Sequence, residues 1–247
     1  MTGVAKNTVA KLLVDLGAAC EKYQDEHFRN LTCRRLQCDE IWSFVGAKQK
    51  NASFEQKAEG MGDVWTWTAI DADTKLVPCW MVSDRSTASA KEFIGDLASR
   101  LSNKVQLTTD AYKPYLEAIE GAFGGDIDYA QLVKIYGSSG EAQQRYSPGQ
   151  CIGIDRKTVS GVPDQKHVST SFVERQNLTM RMSMRRFTRL TNAFSKKLEN
   201  HMAAISLHFM YYNFARIHQS LKVTPAMAAG VTTRLWDVED IVGLLDT

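Results

Sequence analysis

The sequence predicts an α/β protein, a mixed β-sheet flanked by helices and preceded by part of a helix-turn-helix. Three observations predict it. Three apolar, β-rich runs follow one another between residues 34 and 84, with turn signals between them. After Ser86 the pattern alternates helix, strand, helix, strand, an order that lays strands side by side in one sheet. Ahead of both, a glycine turn leads into an amphipathic helix.

That first helix shows in Val9, Leu12, Leu13 and Leu16, which recur at i, i+3, i+4 and i+7, with Asn7 or Thr8 able to cap it. Gly-Val-x-x-x-Thr-Val looks like the turn and second helix of a helix-turn-helix, whose second helix enters the major groove. Lys6, Asn7, Thr8 and Lys11 would then face DNA. The unit is partial, because the sequence begins at the turn. A plain packing helix is the other reading of so short a pattern. Residues 20–31 read as a polar helical connector.

RRLQCDEIWSFVG predicts the first strand, with Leu36, Cys38 and Glu40 on one face and Gln37, Asp39 and Ile41 on the other. A polar loop over 47–63 leads to VWTWTAID, where tryptophans alternate with threonines. KLVPCWMVSD returns as a third strand, and Pro78 puts it at a sheet edge or a bulge. The three form an antiparallel meander. Ser86–Leu101 reads as a helix burying Ala90, Phe93, Ile94 and Leu97. KVQLTTD is the next strand, AYKPYLEAIEGAF a short helix broken near Pro114, and DYAQLVKIYG a further strand.

Gly137–Ser169 is polar, long for a connector and read as a functional loop, with a small hairpin in QCIGIDRKTVSG. A helix carrying Glu174 follows, with Val173, Met180, Met184 and Phe187 as its buried stripe. Glu174, Leu178, Arg181 and Arg185 fall one step round at i, i+4, i+7 and i+11. Thr191–Arg216 reads as a second long helix, Pro225 as a stop, and RLWDVEDIVGLLD as a capping helix.

Composition narrows the chemistry. No run approaches the ~20 apolar residues that span a bilayer. The start lacks a signal-peptide pattern, so the expected location is cytoplasmic. Five cysteines without CxxC spacing read as structural thiols. There is no P-loop and no Ser/His/Asp arrangement. The net charge is +2, yet ten Lys/Arg face three acids between Arg156 and His201. Such a band is either a solvated face or the footprint of an anionic partner such as nucleic acid.

Three acids stand out. Asp39 lies within a strand, Asp110 ends one, and Glu174 begins a helix, so all three can converge at one edge of the sheet. Asp110 alone would read as a helix cap, and Glu174 alone as a complement to the helix dipole. Together they form a cluster that cannot stay fully ionised without cations. Magnesium takes carboxylate and phosphate oxygens, and two ions ~3.5–4 Å apart suit phosphodiester chemistry.

The motifs CDEIWSFVG, VWTWTAID, LTTDAYKPY, SFVERQNLTMRM and NFARIHQSLKVTPAMAAG resemble those of the DDE transposases, most closely the insertion-sequence-one family of bacterial elements. The resemblance runs from about Arg35 to Gly230. It implies a ribonuclease-H-like catalytic domain over 31–230 with a loop insertion near 137–169, a partial helix-turn-helix and connector over 1–30, and a tail helix over 231–247. It also implies hydrolysis at the transposon end, then attack of the freed 3′-hydroxyl on target DNA. Asp39, Asp110 and Glu174 would be both catalytic residues and ligands of two Mg2+ ions, with Mn2+ able to substitute. Arg181 would be the basic partner, and Arg175, Arg185 and His218 further DNA contacts. The partners implied are transposon ends and target DNA, met as a homo-oligomer at the bacterial nucleoid. The alternative is a catalytically silent, truncated relative that occupies transposon ends.

Overall fold

The meander forms as its sequence pattern predicts. β1 (Arg35–Val45) pairs antiparallel with β2 (Gly62–Asp71), and β2 with β3 (Cys79–Ser83). The computed structural model describes residues 3–137, 151–188 and 192–246. Asp71 closes the β2–β3 turn by accepting from the Asp73 N–H at 3.0 Å and the Thr74 hydroxyl at 2.7 Å. Pro78 directly precedes β3, which lies at the sheet edge, where a missing N–H is tolerated. The loop after β1 contains one short helix, α2 (Phe54–Ala58), held by a Ser53–Gln56 capping box.

α3 (Thr87–Ser99), capped by the Ser86 hydroxyl, buries the four predicted residues. β4 (Gln106–Asp110) then runs parallel to β1, and β5 (Asp128–Tyr136) parallel to β4. Between them lies α4 (Pro114–Phe123). Pro114 starts this helix rather than breaking it, since the first helical position needs no N–H donor. β6 (Cys151–Ser160) pairs antiparallel with β5 and completes the order β3-β2-β1-β4-β5-β6. The small hairpin expected in QCIGIDRKTVSG is therefore one edge strand of the main sheet. Residues 138–150 of the expected loop insertion lie outside the described residues, and after β6 it holds a 3-10 turn, Gln165–His167.

Helices cover both faces of the sheet. On one face α3 and α4 pack over Leu36, Cys38, Trp67 and Leu107. On the other, α5 (Ser171–Ser183) and α6 (Leu198–Met210) pack over Ile41 and Ile70 through Val173, Met180, Ile205 and Phe209. The second long helix starts at Leu198 rather than at Thr191, which lies outside the described residues, and a π-helical turn, Tyr211–Ala215, ends it. The chain before it is engaged elsewhere: Ser195 bridges Val45 at the end of β1, and its carbonyl accepts from the Gly46 N–H at 2.8 Å. Pro225 likewise opens a short helix, α7 (Pro225–Ala228), instead of marking a stop. The tail holds α8 (Val238–Val242), as its pattern predicts.

α1 (Lys6–His27) is a single helix that runs through the expected polar connector. Its buried residues are Leu16, Gly17, Cys20 and Gln24, so the predicted stripe is shifted toward the C-terminus. Val9 and Leu12 are exposed. The shift follows from the partner, α6. A Cβ at Gly17 would stand 2.5 Å from Ala203, and the Ser206 hydroxyl donates to the Gly17 carbonyl at 2.7 Å. Among the described residues this end of the chain holds one helix and no helix-turn-helix. Leu16 and Cys20 of α1 share a core with Ile241 and Leu244 of the tail.

Candidate active site

Strand register brings the two aspartates together. β1 and β4 run parallel, with Arg35 opposite Gln106 and Gln37 opposite Thr108. The same offset, continued two residues along both strands, sets Asp39 beside Asp110 on one face of the sheet. Gln37 lies on that face too, and its side-chain oxygen accepts from the Phe172 and Val173 N–H groups at 2.8 and 3.1 Å. This seats the first turn of α5 on β1 and puts Glu174 on the wall of the cleft that the aspartates line. One turn further along, the Asn177 amide donates to an Asp39 oxygen at 2.8 Å.

The three carboxylates line one cleft of about 370 Å³, together with Arg85, Lys134 and Thr170. Burial, then the charges of Glu40, Asp110 and Glu174, push the Asp39 carboxyl up to about 7. A backbone hydrogen bond at Glu40 opposes that rise without cancelling it. Asp110 accepts from the Tyr112 N–H at 2.9 Å, which turns the chain at the end of β4. Glu174 accepts from Lys134 at 2.5 Å and, on the same oxygen, from the Thr170 hydroxyl. Glu40 points to the other face, as the alternation of β1 requires. There the Arg85 Nε donates to it at 2.6 Å and the Tyr115 hydroxyl at 3.0 Å.

The donor set is oxygen-only and suits a hard divalent cation. With the side chains as they stand, no three His, Cys, Asp or Glu among the described residues are grouped closely enough to hold a metal ion. Glu174 is instead neutralised by Lys134.

No protein-family model matches this chain, and no curated protein does. Solved structures do. One is the cryo-EM structure of the simian T-cell lymphotropic virus intasome in complex with PP2A regulatory subunit B56 gamma. The identity is 13% and the TM-score 0.44, over 85% of this chain and 58% of that one. This chain thus spans less than two thirds of the other's length. At that distance the likeness brings no activity, substrate or partner with it.

A second cavity, of about 420 Å³, lies round the other side of α5. Lys75, Arg175, Arg216 and His218 line it, with Phe172 and Gln176. The Lys75 ammonium sits 3.5 Å from the centre of the Phe172 ring. Burial, then the charges of Lys75 and Arg216, hold His218 below its ordinary value.

The structure therefore divides the residues singled out in the sequence. Asp39, Asp110 and Glu174 share the first cleft, while Arg175 and His218 share the second cavity. Arg181 is exposed near the end of α5. Arg185 is exposed but has left the predicted helical face, because Met184 turns extended and a 3-10 turn, Arg185–Phe187, buries Phe187. Lys6, Asn7, Thr8 and Lys11 are exposed at the start of α1, with Lys11 paired to Asp15 at 2.5 Å. Sequence reasoning missed Lys134, Asn177, Thr170 and Gln37. Two of them carried a signal: Gln37 lies two residues before Asp39 on one strand face, and Asn177 one helical turn after Glu174. Among the described residues no helix is long and apolar enough to cross a membrane.

Proposed function

We propose that this protein is a DDE transposase, which cuts a DNA strand at the end of an insertion element and joins it to target DNA. The observation that carries the reading is the β1–β4 register, which sets Asp39 beside Asp110 while Gln37 anchors the helix that bears Glu174. The sheet order, with its antiparallel meander followed by parallel β4 and β5, supports a ribonuclease-H-like domain. The motifs that resemble the insertion-sequence-one family supply the finer assignment.

Asp39, Asp110 and Glu174 would hold two magnesium ions, for which manganese can substitute. When bound, the ions supply positive charge that activates an attacking oxygen and stabilises a leaving one. The chain's own residues do the rest. Asn177 and Gln37 fix Asp39 and α5 relative to each other, which supports a site built on rigid elements. Arg181 and Arg185, exposed after Glu174, contact DNA phosphates, with Lys6, Asn7, Thr8 and Lys11 as outlying contacts. The DNA-bound form is a homo-oligomer on paired ends, at the bacterial nucleoid.

One observation favours the second reading, a catalytically silent DNA-binding relative. Glu174 is engaged by Lys134 and Thr170 rather than grouped with the aspartates. A cleavage and joining assay decides between the two, using labelled DNA from the gene's own flanks with magnesium or manganese. The transposase reading expects end-specific nicking and joining by the wild type. It expects a loss of about a thousandfold or more in Asp110→Ala, with DNA affinity within about twofold. Equal, metal-independent binding by both proteins with no cleavage would establish the silent relative.

A further inference from the structure

The cavity on the far side of α5 has the features of a built anion site. Lys75, Arg175, Arg216 and His218 line it, and no carboxylate does. Gln176 lines it as well. That residue is 2% exposed, and its side-chain Nε2 has no hydrogen-bond partner among the described residues. A buried donor left unpaired is costly, and a partner that brings acceptor oxygens removes the cost. Beside these polar groups stand Phe172 and Ile217, 38% and 54% exposed, which offer apolar surface to a sugar or base edge. Lys75 is held in place by its contact with the Phe172 ring and by donating to the Ala72 carbonyl. The Tyr212 hydroxyl, donating to the Lys75 carbonyl at 3.1 Å, fixes the turn from the opposite side.

The position is as informative as the chemistry. α5 is the wall shared by this cavity and the carboxylate cleft: Thr170 and Glu174 face one, Phe172, Arg175, Gln176 and Thr179 the other. A helix is about 10 Å across with its side chains. A single DNA strand crosses such a width within a few nucleotides. We propose that the cavity grips a backbone phosphate of the same DNA strand, a few nucleotides from the phosphate presented to Asp39, Asp110 and Glu174. Gln176 donates to a phosphate oxygen and the cations neutralise its charge. This rests on the reading of the cleft as a DNA-processing site, and it assigns Lys75, Gln176 and Arg216 to substrate binding.

The test measures binding apart from cleavage. The affinity of the full chain for a fluorescein-labelled duplex of mixed sequence is followed against salt, for the wild type, Lys75→Gln/Arg216→Gln and Gln176→Met. Circular dichroism melts establish that each variant folds. The expected result for the double variant is an affinity loss of about tenfold or more. Its slope of log affinity against log salt should shrink by about one, for the one phosphate no longer neutralised. Gln176→Met should lose affinity severalfold with an unchanged slope, a readout available even if the double variant does not fold. Wild-type affinity and slope in the folded variants would overturn the proposal. So would a thermal shift by inorganic phosphate that the variants lose while their DNA binding stays intact, which would make this a site for small free anions. Should the wild type bind the duplex through these residues yet never cut it with magnesium or manganese, the reading of the cleft fails and the phosphate site stands.

Discussion

The two sides of α5 have opposite electrostatic problems. On one side Asp39, Asp110 and Glu174 crowd negative charge into a cleft that has Lys134 and Arg85 as its cations. On the other, Lys75, Arg175, Arg216 and His218 gather positive charge around a buried amide with an unpartnered donor. On each side burial shifts a titratable group, and like charges nearby add to the shift. The Asp39 carboxyl is pushed up, chiefly by burial, and His218 is pushed down. One short helix thus divides a region suited to cations from a region suited to anions. A nucleic-acid enzyme that positions divalent ions against phosphates needs both.

The sharpest test of that contrast after Asp110→Ala is Asp39→Asn, because it separates stability from chemistry. In the folded, metal-free protein the Asp39 carboxyl keeps its proton up to about pH 7. In the unfolded chain it ionises near 3.9. Between those values the unfolded state binds fewer protons, so stability falls as pH rises from about 4 to 7 and stays lowered above. Asparagine has nearly the same shape and never ionises. With Asp39 still partly open to the cleft, the variant should gain ~1–3 kcal/mol at pH 8. That is a melting-temperature rise of several degrees, and it should disappear at pH 4. Cleavage should be lost at every pH. A variant no more stable than the wild type at pH 8 would mean that the cleft is not short of positive charge.

Lys134→Met probes the same balance more gently. Lys134 neutralises Glu174 at 2.5 Å, with both side chains about a third exposed or more. Removing it leaves the cleft more negative, with Thr170 as the remaining partner of that Glu174 oxygen. The apparent affinity for manganese, read as a thermal shift, should rise about fivefold, corresponding to ~1 kcal/mol. Metal-free stability should drop slightly, as for other partly exposed ion pairs. Unchanged manganese affinity would show that Lys134 and divalent ions do not compete for Glu174.

How far the sequence reached depends on whether the deciding partner was near or far along the chain. The meander, the buried face of α3 and the helix–strand–helix–strand order of a mixed sheet were legible, because periodicity and turn residues are local signals. That the three carboxylates line one cleft was legible from strand, strand end and helix start, though not that Glu174 pairs with Lys134 there. Lys134 and Thr170 were not legible, since they have ordinary sequence contexts and gain their roles from packing. In sequence Pro114 and Pro225 resemble a break and a stop, because a proline's place relative to a helix start depends on where that helix begins; both occupy first positions. β6 lacks the alternation of a covered strand because it is an exposed edge, and only its pairing with β5 defines it. α1 shows the clearest failure. Its apolar stripe pointed to Val9 and Leu12, yet the buried face is chosen by Ala203 and Ser206 of α6. Polar Gln24 enters that face because it bonds the Cys20 and Ser206 carbonyls and accepts from Asn213.

The exposed start of α1 supplies the smallest expected effect. Lys6, Asn7, Thr8 and Lys11 are separate from both sides of α5, and Lys11 is already paired with Asp15. If DNA is gripped mainly around α5, Lys6→Gln should weaken duplex binding by less than about threefold and shrink the salt slope by at most one. Lys11→Gln should do less, because its charge is partly neutralised before DNA arrives. The order of the two variants is the diagnostic. A fall of tenfold or more in either, with a loss of preference for the element's own ends, would make the start of α1 a sequence-reading helix. The basic cavity would then be an auxiliary grip on the backbone, and the comparison drawn across α5 would have to extend to α1.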